Sequence, residues 1–546
     1  MTLEMPRQLT HPAESEVAVL VAPPPVIDVV AAPSRALSPR MHRALEILPG
    51  ALAIFLISTM FWGYALIPSV IATMLLIFDG YWLWKSWTVG YHALKGVRLM
   101  RQTLRSHQKR EYQRMAIEGA DVLPWDAVKH VVIIPNYKES PEKLRTTLDT
   151  LARARGARES IIPVLAMEEA EPGSDAKGLA LVREYENHFW DLLVTTHPYG
   201  IPGEVRGKSS NEDWAARRAV EELVDRQGLN IDHLTVTSCD ADTQFHRRYF
   251  ENLTFHFATN ENRYRRFWQA PIFFYNNIWQ VPGPLRVPNA MAGLIHLGRL
   301  SREHRVAFSQ STYSLSMRMA RDVGFWDPDV IPEDWHMFLK CYYRFGGDVD
   351  VEPIFVPLGN DGALSKTPKE TFVNHYLQVR RWGWGVVDTP YAIEQAVAHP
   401  EMSLKRRLLR VWYFFDNHIS WSTQWFLLTL GGLVPLTYGV ITGELLTPEW
   451  FYLDEIFGTT YLPGWVTITT LIMTPCMLPY LTLIVLDTRL RPKAPAHMSK
   501  TYRVLSFGWW IAISPITFFT SAAPALDAQV RLMLGKRMEY RVTEKL

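Results

Sequence analysis

Two aspartates one residue apart, Asp240 and Asp242, follow directly on the apolar run Leu234 to Ser238. At the end of a strand, alternating side chains let such a pair converge on a hard cation. Magnesium or manganese held there can bridge the phosphates of a nucleotide and neutralise a leaving diphosphate; a pair of solvated turn acids is the competing reading. A second acidic pair, Glu333 and Asp334, opens an amphipathic helix after Asp327, Pro328 and Asp329, a position that also suits acids serving only the helix dipole. Further on, Gln378, Arg381 and Trp382 share one helix face through their three- and four-residue spacing. That face offers a guanidinium to phosphate oxygens and an indole to a sugar ring. Upstream, Pro135 to Glu139 carries Tyr137 and Glu139, an aromatic to cover a base and a carboxylate to accept from a base or ribose, or else an ordinary strand-to-helix turn.

These residues need a scaffold, and between Pro124 and about Pro400 the pattern supplies one: short apolar strands alternating with helical stretches, the signature of an α/β sheet. His130 to Pro135, Ile161 to Met167, Leu192 to Thr196 and Leu234 to Ser238 read as strands. Glu142 to Arg155, Ala176 to Trp190 and Asn211 to Arg226 read as helices. Ligands of such sheets bind beyond the carboxyl ends of the strands, where the residues above fall.

The rest of the chain is of another character. Ile47 to Ile77 contains no Asp, Glu, Lys or Arg, and neither do Asn417 to Thr442, Ile456 to Leu486 and Val504 to Leu526. The first run is too long for one span, so two helices meeting near Pro68 are expected, the second carrying Asp79, which would face a polar interior or the interface. The membrane spans number four in this reading. Val504 to Leu526, broken by Pro515 and Pro524, would form a re-entrant or interfacial helix. Basic residues from Lys85 to Arg114 and from Lys405 to Arg410 flank the spans, while the acidic loop Gly443 to Pro463 lacks Lys and Arg. Basic flanks stay in the cytosol, which puts the middle segment on the cytosolic side of an inner or plasma membrane.

The 546 residues hold 57 Lys and Arg against 55 Asp and Glu, a net charge of +2 that excludes a chain-wide nucleic-acid binder. Residues 1–45, rich in Pro and Ala, read as disordered, and Val17 to Ala22 is too short for a secretory signal. Cys239, Cys341 and Cys476 read as reduced packing residues.

In order and spacing, Asp240 to Asp242, Glu333 to Asp334 and Gln378 to Trp382 resemble the Asp-x-Asp, Glu-Asp and Gln-x-x-Arg-Trp elements of membrane-embedded family 2 glycosyltransferases, which include cellulose, chitin and hyaluronan synthases. Pro135 to Glu139 is similar to that family's opening motif, and Gly207 to Asn211 to its Gly-Lys-x-x-Asn segment. Tyr540 to Lys545 resembles the Phe-x-Val-Thr-x-Lys gating loop of cellulose synthase, with a basic terminus near anionic lipid as the alternative.

The resemblance implies an α/β, GT-A-type cytosolic domain at 124–400 inserted between transmembrane helices. Around it lie two transmembrane helices at 46–90, a basic linker helix at 91–123, an interfacial helix with two more spans at 401–500, and a re-entrant helix with a gating-like tail at 501–546. By the same resemblance, Asp240 and Asp242 hold Mg2+ or Mn2+ with the donor diphosphate. Glu333 and Asp334 are catalytic, with Asp334 the general base of an inverting displacement. Tyr137, Glu139, Glu168, Lys208, Asp240, Gln378 and Arg381 bind the nucleotide sugar, and Trp382 stacks the acceptor. Gln269 joins the acceptor site from the aromatic segment Phe267 to Pro284, a segment that packing alone could also explain.

Two departures stand out. Glu168 stands where relatives carry an Asp pair, and Phe308 to Ser314 replaces their Gly-rich acceptor segment. The implied function is transfer from a nucleotide sugar, taken as a UDP-sugar, to a growing polysaccharide in a processive manner. The partners are then the donor, a polysaccharide or lipid-linked acceptor, membrane lipid and an export partner or second copy, but no nucleic acid. A non-processive glycolipid synthase is the alternative, and a catalytically silent membrane scaffold or export partner is the alternative of another class. A transporter is disfavoured by the absence of repeated spans.

Overall fold

The computed structural model describes residues 37–303, 307–442, 464–539, 543 and 545. The acidic loop at 443–463 and most of the segment 1–45 lie outside the described residues. Within that segment a helix already begins at Pro39, earlier than expected, because Ser38 caps it by accepting a hydrogen bond from Met41 N and Pro39 takes the first helical position. The helix Pro39–Leu66 ends where Pro68 can no longer continue it, and Pro68–Arg105 starts there, so the expected break near Pro68 is present.

Among the described residues two helices, Pro39–Leu66 and Ile468–Leu490, are long and apolar enough to cross a membrane; a third span arises if the pair Thr501–Trp510 and Ile513–Met533, bent by 69°, counts as one broken span. The sequence reading gave four. Asp79 and Lys85 make Pro68–Arg105 less apolar than its first turns promise, and Asp79 is buried, accepting from Thr469 Oγ1 at 2.9 Å. The bend fits the broken helix expected around Pro515 and Pro524.

The middle of the chain folds around a seven-stranded sheet of order β3-β2-β1-β4-β8-β6-β9. Its strands are β1 (Lys129–Pro135), β2 (Ile161–Glu168), β3 (Leu193–His197), β4 (Leu234–Ser238), β6 (Arg266–Gln269), β8 (Tyr313–Ser316) and β9 (Asp350–Pro353). A three-stranded sheet joins β5 (Gln244–Phe245), β10 (Leu358–Gly359) and β7 (Ile272–Phe273). The first four strands are parallel, whereas β8 runs antiparallel to both β4 and β6. The chain winds from β1 through β2 to β3 and returns on the other side as β4, so β1 and β4 flank the switch point where such sheets bind ligands.

Covered on both faces, β1 reads as a continuous β-branched run. Val131 and Ile133 pack toward Ala215, Ala219 and Phe338, while Val132 and Ile134 pack toward Leu144, Leu148 and Leu253. Cys239 and Cys341 are buried free thiols within these cores, and Cys476 is a partly buried free thiol. The domain is fastened to the membrane helices by the helix Gly283–Leu300, which crosses Pro68–Arg105 so closely that a Cβ on Gly96 would sit 2.6 Å from Leu297 Cγ.

Candidate active site

The two aspartates leave the end of β4 with different environments. Asp240 Oδ1 meets Lys208 Nζ at 2.9 Å, and its Oδ2 accepts from Ser311 Oγ. Asp242 is buried; Oδ1 accepts from Lys545 Nζ at 2.6 Å and Oδ2 from the backbone N–H of Asp361 at 2.7 Å. Burial would raise Asp240, but the ammonium groups of Lys208 and Lys545 prevail and hold it well below the usual carboxylate range. At Asp242 burial prevails over Lys545 and the carboxyl is raised.

Lys208, at the start of the helix Lys208–Val220, is the local keystone: Nζ reaches Glu333 Oε1 at 2.8 Å and donates to Ser311 O at 3.0 Å, in addition to its contact with Asp240. Burial opposes its charge, yet Asp240, Glu333 and Glu212 keep the ammonium well above its ordinary value. Glu333 and Asp334 open the helix Glu333–Arg344, as expected. Asp334 Oδ2 accepts from Ser311 N at 3.0 Å and Oδ1 from Trp335 N at 2.8 Å. Burial and the neighbouring Glu333 charge push its carboxyl up to about 7, where a carboxylate is poised to exchange a proton near neutrality.

Tyr137 and Glu139 lie past the end of β1, with Glu139 Oε2 accepting from Tyr137 N at 2.7 Å and burial raising that carboxyl to about 7. Glu168 ends β2 and faces His197 Nδ1 at 3.2 Å; His197 Nε2 meets Glu204 at 2.8 Å. Gln378, Arg381 and Trp382 belong to the helix Pro368–Gly383, which opens with a capping box at Thr367 and Glu370. Arg381 Nη2 donates to Thr543 Oγ1 at 3.4 Å, and the Trp382 ring lies 5.7 Å from Phe274. The end of the tail therefore sits in the site, with Thr543 on Arg381 and Lys545 on Asp242.

Tyr137, Glu139, Glu168, Lys208, Asp240, Asp242, Glu333, Asp334, Gln378, Arg381 and Trp382 all line one cavity of about 2170 Å³. Gln269 does not. It is fully buried, donating to Ala270 O at 3.1 Å and Thr312 O at 2.9 Å while accepting from Gln310 N at 2.8 Å. Its role here is to hold the 310–312 loop, a correction to its expected place at the acceptor.

That loop contains a residue that sequence reasoning did not single out. Ser311 adopts a left-handed backbone conformation with φ of 55°, uncommon for a residue with a Cβ. The turn aims its N–H at Asp334, its hydroxyl at Asp240 and its carbonyl at Lys208. The substitution of a Gly-rich segment by Phe308 to Ser314 was the available signal. Asn360 and Asp361, just after β10, were also missed; Asn360 Nδ2 lies 3.4 Å from Asp240 Oδ2, and Asp361 pairs with Lys143.

The oxygen-only donors of Asp240 and Asp242, each matched by a lysine ammonium, suit a hard cation. Among the described residues no group of three or more His, Cys, Asp or Glu is arranged around a metal. A divalent ion on the two aspartates would draw its other ligands from water and phosphate oxygens, the usual habit of magnesium.

Residues 235–484 match the family described as Glycosyl transferase family group 2. No curated protein matches the chain. Among solved structures, it is similar to the mannosyltransferase PcManGT from Pyrobaculum calidifontis in complex with GDP-Man and Mn2+, at 12% identity and a TM-score of 0.39, covering 90% of this chain and 100% of that one. It is also similar to S. aureus TarS 1-349 in complex with UDP-GlcNAc, at 12% identity and a TM-score of 0.34 over 76% of this chain and 94% of the other. GalNAc-T7 with UDP, GalNAc and Mn2+ follows at 11% identity and 0.32, over 54% and 58%.

Proposed function

We propose, for a chain whose residues 235–484 match the family 2 glycosyltransferases, that it is a membrane-bound inverting enzyme moving a sugar from a nucleotide sugar onto a growing saccharide. The observation that carries this reading is the single cavity. It joins Asp240, Asp242 and Asp334 to Trp421, Leu428, Met473 and Leu483 among the membrane helices, so an acceptor can reach the carboxylates from the membrane side.

In this reading Tyr137, Glu139 and Glu168, at the carboxyl ends of β1 and β2, bind the nucleoside. Asp240 and Asp242 hold Mg2+ or Mn2+, which when bound neutralises the charge of the departing diphosphate. Arg381 and Gln378 steady that leaving group, Lys208 fixes Asp240 and Glu333 in place, and Trp382 stacks the acceptor sugar. Asp334 takes the proton from the acceptor hydroxyl as its oxygen attacks the anomeric carbon, and the bond to the diphosphate breaks on the opposite face, with inversion. The catalytic domain, residues 124–400, works from the cytosolic side, and the tail bearing Thr543 and Lys545 withdraws when donor and cation enter.

The test is nucleoside diphosphate release by the purified chain in lipid, over a panel of UDP- and GDP-sugars with magnesium or manganese, with sizing of the product. Release from one donor with a lengthening product is the expected result. Absence of both release and nucleotide binding would transfer the case to a silent scaffold.

A further inference from the structure

Away from Asp334, the same cavity changes sign. Lys85 of the helix Pro68–Arg105, Arg299 at the end of Gly283–Leu300, and Arg302 just beyond it all line it. Among the described residues Lys85 forms no ion pair; its ammonium lies 5.2 Å from the Tyr81 ring and 5.7 Å from the Trp82 ring. Arg299 donates to Asn417 Oδ1 at 3.1 Å and meets no carboxylate there. The acid of this chamber, Asp416, instead accepts from the Tyr81 hydroxyl at 3.1 Å and from Ser420 Oγ at 3.1 Å. His296, His418, Tyr413, Tyr480 and Cys476 also line it. Lys85 and Arg299, neither in an ion pair among the described residues, outnumber the one carboxylate of a partly enclosed space and call for an anionic guest, and the guanidinium fork matches phosphate.

The surroundings say how that phosphate is carried. Trp84, Trp87 and Trp412 are 60%, 45% and 69% exposed on the turns that bear the chamber. Exposed tryptophans gather where membrane meets water, which sets the chamber at the depth of lipid headgroups. From there the lining turns apolar through Trp425, Leu428 and Leu483. Toward the catalytic end the link is short: the Trp335 ring, next to Asp334, lies 5.4 Å from His418, whose neighbour Asn417 holds Arg299.

We propose that Lys85, Arg299 and Arg302 bind the phosphate of a long-chain lipid phosphate that carries the acceptor saccharide. The proposal rests on the glycosyl-transfer reading above and names its acceptor class. The acceptor hydroxyl oxygen forms its bond to the anomeric carbon while the bond to the nucleoside diphosphate breaks, its electron pair leaving with the diphosphate. The proton passes to Asp334, and the anchoring phosphate is unchanged.

The experiment uses the full chain in phosphatidylcholine nanodiscs and measures binding of radiolabelled dodecyl phosphate. Lys85→Gln with Arg299→Gln should weaken it roughly tenfold or more, while Arg299→Lys, which keeps the charge, should retain most of it. Unchanged affinity in the double variant would overturn the proposal. So would equal binding of dodecanol, which lacks the phosphate, equal binding of inorganic phosphate, which lacks the chain, or equal displacement by phosphatidylglycerol, which would mark a site for bulk lipid. Calorimetry of nucleotide-sugar binding on the same samples separates the two readings. Loss of donor binding with dodecyl phosphate binding intact would sink the transfer reading and uphold the anion site; the reverse pattern would sink only the anion site.

Discussion

At one end of the cavity, the carboxylates of Asp240, Asp242, Glu333 and Asp334 gather around the ammonium groups of Lys208 and Lys545, with the buried Glu212 behind Lys208. At the other end, among the membrane helices, Lys85 and Arg299 line it beside Asp416, with Arg302 next to them. In the transfer reading, a donor diphosphate at the first end comes up against the Asp240 carboxylate, and a divalent cation held with Asp242 would offset that repulsion. A phosphate approaching the second finds cations already in place. In that reading one cavity would keep two anionic substrates apart by making only one of them depend on a divalent ion.

The sharpest way to break this comparison is at its catalytic pole. Asp334→Asn removes the proton acceptor while keeping its size and one of its two accepted hydrogen bonds, from Ser311 or Trp335, because the amide has a single acceptor oxygen. Turnover should fall by about a hundred- to ten-thousandfold, with nucleotide binding preserved, as read by diphosphate release and calorimetry. Because burial and Glu333 raise this carboxyl to about 7, the wild-type rate should decline as pH falls through that value, where the base becomes protonated. A flat acid limb would remove Asp334 from the role.

Next in size is the stability of the acidic end itself. Lys208→Met leaves Glu333, Glu212 and Asp240 without their shared cation in a largely buried setting. Breaking a buried ion pair from one side costs about 3 kcal/mol or more, so the variant should unfold at clearly lower temperature in lipid. Lys85→Met, removing a cation with no ionic partner among the described residues, should be neutral or stabilising in the same assay. Equal losses at the two ends would erase the distinction between them.

That contrast was only half legible in the sequence. The four parallel strands and the helices after the first three were readable because long apolar runs alternate with amphipathic stretches, and the Asp-x-Asp pair fell at a strand end. Strands β5 to β10 were not read: Gln244–Phe245 and Leu358–Gly359 are two residues each and pair across more than a hundred positions, so neither leaves a period. Gln269 misled because amides beside aromatics serve buried sheets as well as sugars. Ser311 was invisible because its role is carried by a backbone angle, which a residue type other than Gly does not announce. The basic chamber was hidden too, since Lys85, Arg299 and Asp416 come from helices far apart in the chain and Lys85 had counted only as a topological flank.

A smaller effect probes the rim of the proposed nucleotide site. His197 is held between Glu168 and Glu204; burial opposes its charge, but those carboxylates raise it to about 9. Raised above its unfolded value of about 6.5, it contributes stability that is fully present below that pH and is lost as pH climbs toward 9. The difference in thermal stability between wild type and His197→Gln should therefore be on the order of 1–2 kcal/mol in mild acid, after allowance for solvent screening, and vanish in alkali. A difference constant with pH would mean that packing against Trp214, rather than charge, holds this histidine.

The finest test concerns the lysine at the end of the tail. If the acidic end selects a cation, the Lys545 ammonium on Asp242 is a competitor for the ion that end is built to hold, 2.6 Å from a carboxylate oxygen that the ion would use. Lys545→Met should then raise the apparent affinity for magnesium or manganese by roughly three- to tenfold, or about 1 kcal/mol, read from the metal dependence of nucleotide binding. Dodecyl phosphate affinity should not move, because Lys545 contacts only the acidic end. Weaker metal binding in the variant would give the tail the opposite role, an element that closes over the cation and donor rather than one that holds their place.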